Sequence, residues 1–76
     1  MKIDIKYFAN MREIMGKAED YVELDSGATV VDMWKKVSND PLPENTLIAV
    51  NMEYTDINQV LVDGDEVGFF PPVTGG

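Results

Sequence analysis

Two side chains that carry much of protein chemistry are missing from this sequence: it has no cysteine and no histidine. Without cysteine there can be no disulfide, no thiolate nucleophile and no cysteine-ligated zinc. Without histidine the commonest general base and the commonest metal ligand are gone, leaving carboxylates, lysines and tyrosines for any chemistry the chain performs alone. A self-sufficient enzyme is not the expectation. Basic residues are scarce as well, 6 against 14 acidic ones, for a formal net charge of −8. This argues against nucleic acid, whose binders neutralise phosphates with clustered Lys and Arg. The acidity suits either solubility or steering toward a basic partner surface. No apolar run approaches the roughly 18 residues of a membrane span. Met1-Lys2 leads straight into alternating residues rather than the apolar stretch of a signal peptide. The expectation is a cytoplasmic chain with no membrane partner.

What is present reads as one folded unit. A 76-residue chain with 45% hydrophobic and 26% charged residues is ordinary for a single domain, and one of this size buries about 60% of the surface its unfolded form exposes. Lys2 to Phe8 alternates charged and apolar side chains, the period of a strand with Ile3, Ile5 and Tyr7 on the core face and Phe8 on the other. Asn10 is placed to cap a short helix over Met11 to Met15, with Gly16 as its stop. Asp20 to Leu24 alternates again and suits an antiparallel partner for the first strand. Thr29 and Asp32 have the spacing of a capping box, and Val30, Met33, Trp34 and Val37 form one apolar stripe, which assigns Trp34 to core packing.

Asn39 to Pro43 ends that helix. Thr46 to Asn51 is a nearly continuous apolar run, the pattern of a central strand, and Met52 to Asn58 reads as loop. Val60-Leu61-Val62 reads as a short strand leading into the turn Asp63-Gly64-Asp65, and Glu66 to Phe70 is the last strand. The crossover helix lets the last strand lie parallel to the first. The expected fold is α+β: a β-grasp, or ubiquitin-like, domain with a mixed sheet of about five strands and one main helix on one face.

One helix covers one face, so the other is open. Phe69 and Phe70 are consecutive in a strand and must point to opposite faces. Phe8, Tyr54 and one of this pair are therefore candidates for an exposed aromatic cluster, the kind of anchor that carries a large share of interface energy. Residues 1–70 form the expected domain and 71–76 an extended tail. Pro71 and Pro72 stiffen the exit from the sheet. Val73 and Thr74 narrow to Gly75 and Gly76, whose missing side chains would pass a channel too tight for any Cβ. The reactive group is then the α-carboxylate of Gly76. Its charge repels nucleophiles, so a partner enzyme must activate it as an acyl-adenylate with ATP before sulfide or an amine can be installed.

Tyr7-Phe8-Ala9 followed by Arg12-Glu13 and Gly16, Ala49-Val50-Asn51, and above all the block from Asp63 to Gly76 resemble the molybdopterin synthase small subunits, the MoaD sulfur carriers, over essentially the whole chain. The resemblance implies a carrier that is not itself an enzyme and binds no cofactor. A MoeB-like, E1-like adenylyltransferase would act on Gly76, a thiocarboxylate (1-thioglycine) would form there, and a MoaE-like large subunit would use its sulfur to convert precursor Z into the molybdopterin dithiolene. It also implies that Phe8, Tyr54 and Phe70 form the docking surface, with Pro71 and Pro72 at its edge. Three alternatives share the same features: a thiamine-pathway sulfur carrier, a ubiquitin-like modifier conjugated through Gly76, and a plain binding module with an idle tail.

Overall fold

The computed structural model describes residues 1–72. In chain order its elements are β1 (Lys2–Tyr7), α1 (Asn10–Met15), β2 (Glu19–Glu23), α2 (Val30–Val37), β3 (Leu47–Val50), β4 (Glu53–Thr55) and β5 (Glu66–Phe70). The strands form one five-stranded sheet in the order β2-β1-β5-β3-β4. β1 runs antiparallel to β2, with Ile3 opposite Val22. It runs parallel to β5, with Ile5 beside Val67 and Tyr7 beside Phe69. This is the β-grasp arrangement that the alternation and the crossover helix predict.

The period-2 pattern of β1 sends Ile3, Ile5 and Tyr7 into the core, where each is essentially inaccessible to solvent. Val67 and Phe69 from β5 and Ile48 from β3 join them, and Val30, Met33 and Trp34 of α2 close the layer from above. α2 starts on a full capping box: the Thr29 hydroxyl accepts from the Asp32 N–H, and the Asp32 carboxylate accepts from the Thr29 N–H. The Trp34 indole N–H donates to the Asp40 carbonyl at 2.8 Å, so its polar edge is satisfied while the ring packs. Tyr7 differs. Its hydroxyl is buried with no hydrogen-bond partner among the described residues, and burial, helped by the nearby Asp20 charge, pushes the phenol up to about 12.

Three local expectations are corrected. Asn10 is the first helical residue of α1 rather than its cap; Ala9 takes the cap position at φ 51° with no side-chain bond. The first-turn donors are already used, since Met11 N–H donates to the Phe8 carbonyl and Arg12 N–H to that of Ala9. Gly16 does stop the helix, at φ 75°. The stretch after β3 is not loop: β4 pairs with β3 through a two-residue connection, Val50 opposite Glu53.

Val60-Leu61-Val62 is not a strand. It makes one isolated bridge, Val60 to Thr29, and is held by Leu61 N–H donating to the Ala28 carbonyl at 2.9 Å. Both edges of β5 are occupied, by β1 and β3, so this segment packs Leu61 against the core and leaves Val60 and Val62 exposed. β3 itself is an interior strand, paired on one side with β5 and on the other with β4, as its nearly continuous apolar run predicts.

Candidate functional site

The site grows out of β5. Phe69 is 0% exposed; its ring stacks on Tyr7 with centroids 6.0 Å apart and meets the edge of Trp34 at 5.3 Å. Phe70, one residue on, must face the other way, and there it stacks on Phe8 at 4.4 Å with the planes only 2° apart. Tyr54, from β4, approaches Phe70 edge-on at 6.2 Å. The three aromatic residues expected on the open face therefore form one cluster, with Phe8 37% and Tyr54 72% exposed.

Two small residues make room for the rings. Ala49 of β3 lies opposite Tyr54, and Gly68 lies in mid-strand, where an added Cβ would come within 3.2 Å of both Phe8 and Phe70. The missing side chain lets the stacked pair lie down on the sheet. With Met52, these residues line a shallow depression of about 560 Å³, bounded by Lys6 and Glu66, whose charged ends are 3.7 Å apart. An exposed apolar patch with a charged rim is a form that protein–protein contact surfaces take.

The polar residues of the same stretch hold β5 in place. Gly64 takes φ 88° in the turn, a conformation that favours glycine. Asp63 accepts from the Lys2 N–H at 2.7 Å. Asp65, almost wholly buried, accepts from the Val62 N–H at 2.9 Å and from the Asn51 side-chain amide at 2.8 Å. The Asn51 side-chain oxygen in turn accepts from the Glu66 N–H at 3.0 Å. The turn before β5 is thus tied to β1 on one side and to the β3–β4 hairpin on the other.

Of the remaining site residues expected from sequence, Pro71 is half-buried and Pro72 exposed immediately after β5; Val73, Thr74, Gly75 and Gly76 lie outside the described residues. The sequence reading missed Ala49, Gly68 and Met52. Strand parity could have found the first two, since both alternate onto the face of Phe70 and Tyr54. Met52 required knowing the hairpin. Among the described residues no cluster of three acidic, histidine or cysteine side chains could hold a metal ion. No helix there is long and apolar enough to cross a membrane.

Fold and face together define a β-grasp domain with an aromatic patch at the end of its last strand. The chain belongs to the ThiS family, which its residues 5–76 match. It is 35% identical to the molybdopterin synthase sulfur carrier subunit of Chlamydomonas reinhardtii, with 100% of each chain covered. Among solved structures, it is similar to a Pyrococcus furiosus protein provisionally assigned as molybdopterin converting factor subunit 1, at 35% identity and a TM-score of 0.81, covering 96% of this chain and 99% of that one. It is also similar to small archaeal modifier protein 1 of Haloferax volcanii, at 27% identity and a TM-score of 0.82, with 100% of each chain covered. The fold extends to the complex of subunits 1 and 2 of the Helicobacter pylori molybdopterin-converting factor, at 20% identity and a TM-score of 0.72 with 100% of each chain covered.

Proposed function

We propose that this chain is a cytoplasmic sulfur carrier, the small subunit of a molybdopterin synthase, and that its reactive atom is the carbonyl carbon of Gly76. The observation that carries this reading is the Phe8–Phe70–Tyr54 cluster, set just before Pro71-Pro72 in a chain that matches a named sulfur carrier subunit over its whole length. The body would serve as the grip and the tail as the reagent. A carboxylate resists nucleophiles, so a MoeB-like adenylyltransferase first joins the Gly76 carboxylate to the α-phosphorus of ATP and releases pyrophosphate. A sulfur donor then displaces AMP, leaving the thiocarboxylate. Docked through the aromatic face, the chain would thread Val73 to Gly76 into the large subunit, where the sulfur passes to precursor Z. The absence of cysteine and histidine fits this division of labour, because the acid–base groups would belong to the partners.

A second reading has support of its own. The likeness to an archaeal modifier protein fits conjugation of an activated Gly76 to lysine amines. Incubation with ATP, an E1-like adenylyltransferase and a sulfur source separates the two. The carrier reading expects an intact mass raised by one exchange of sulfur for oxygen at the C-terminal residue. A ladder of isopeptide-linked products with no such species would favour the modifier. A carrier of the thiamine pathway would take up sulfur without forming a stable complex with a molybdopterin synthase large subunit on gel filtration.

A further inference from the structure

We infer that Met52 is a partner-contact residue of the aromatic face, kept at a strained turn position by a clamp between Asn51 and Asp65. The inference rests on the reading above, in which this face docks on the large subunit.

Met52 is 92% exposed, so it contributes little to packing within the domain, yet it lines the same depression as Phe8, Tyr54 and Phe70. Its backbone conformation is unfavourable. Asn51 and Met52 form the two-residue loop between β3 and β4 at φ 51° and 70°. Loops of this kind need positive φ at both positions and select Asn or Asp followed by Gly. Asn51 fits that rule and Met52 breaks it, since a side chain with a Cβ is strained where glycine is not.

The loop cannot relax, because three hydrogen bonds hold Asn51. Its backbone N–H donates to the Glu66 carbonyl at 2.8 Å. Its side chain donates to Asp65 at 2.8 Å and accepts from the Glu66 N–H at 3.0 Å. A long, unbranched thioether at an exposed and strained position has no folding rationale. It has a binding one: methionine adapts to irregular apolar surfaces and packs against aromatic rings. The partner chemistry is an apolar patch that receives Phe70, Phe8 and Tyr54 at its centre and Met52 at its margin.

Met52→Gly tests this, because it moves two readouts in opposite directions. The variant is expected to unfold at a higher temperature, strain being relieved, while its affinity for the purified large subunit falls by about five-fold or more. A purely structural residue would move both readouts the same way. Unchanged affinity overturns the inference, and so does a fall in both.

The clamp is tested separately. Asn51→Asp sets two carboxylates against each other and is expected to weaken binding. The swap Asn51→Asp with Asp65→Asn restores donor and acceptor in reversed order and is expected to recover it. Failure of the swap to rescue would remove the clamp from the account. If the unaltered chain failed to bind the large subunit at all, the docking reading itself would fall and take the inference with it.

Discussion

At the scale of single residues, the sharpest contrast lies between two adjacent phenylalanines. Phe69 is wholly buried between Tyr7 and Trp34, and truncating such a ring typically costs about 3–5 kcal/mol. A domain of this length has a total stability of roughly 4–11 kcal/mol, so Phe69→Ala should remove a large share of it and lower the unfolding temperature by roughly 12–40 °C. Phe70→Ala removes a half-buried ring from the opposite face. It should lower the unfolding temperature much less than Phe69→Ala does, since only its stacking within the patch is lost, and weaken binding to the large subunit by more than about 1 kcal/mol. Thermal unfolding and a binding titration on both variants check the pair. If the two unfolded alike, Phe70 would belong to the core and the aromatic face would lose its centre. This division was legible in the sequence, because strand parity alone forces neighbours apart. The stacking of Phe70 on Phe8 was not, since it depends on the pairing register of β1 with β5 and on the side chain missing at Gly68.

At the scale of elements, α2 rests on its first turn. The Thr29 N–H donates to Asp32 at 2.9 Å and the Thr29 hydroxyl lies 3.0 Å from the same oxygen. These bonds, the backbone one first, with a smaller contribution from Lys35, hold the Asp32 carboxyl below its ordinary 3.8. A carboxyl depressed in the folded state contributes stability that is fully present above its unfolded value. That contribution is lost as the pH falls from about 3.8 through the lower folded value. Asp32→Asn should therefore be less stable than the parent at neutral pH and converge with it in strong acid. Denaturant midpoints measured for both chains from neutral pH downward check the sign; a gap that stayed constant would assign the effect to something other than this carboxylate.

Elements with a strong period or a cap were the readable ones: β1, β2, α2 and β5 stand where alternation, the apolar stripe and the capping box put them. The failures have physical causes. The β3–β4 hairpin hid behind Met52, where the turn signal calls for glycine. Val60-Leu61-Val62 has strand composition, but both edges of β5, the strand it leads into, are taken by β1 and β3. Asn10 was a plausible cap whose work the backbone carbonyls of Phe8 and Ala9 already do.

At the scale of the whole molecule, the proposal assigns folding and chemistry to separate parts of the chain. Among the described residues, the buried core runs from Ile3 to Phe69, and the aromatic face is complete by Phe70. Both are built from residues that precede the tail. Deleting that residue should leave the unfolding transition where it is and preserve much of the affinity that Phe8, Tyr54 and Phe70 supply. Sulfur loading should nevertheless be abolished, because the new terminal carboxylate is one residue short of the activating enzyme's nucleotide. The residue types present sharpen the expectation. With neither cysteine nor histidine in the chain, no thiol or imidazole elsewhere can take over as acceptor. The test needs three readouts on one deletion variant: thermal unfolding, retention with the large subunit on gel filtration, and intact mass after ATP, adenylyltransferase and sulfur source. Persistence of a sulfur-loaded species would move the chemistry away from the terminus. A collapsed unfolding transition would show instead that the last residue helps to build the fold, and the separation of grip from reagent would fail with it.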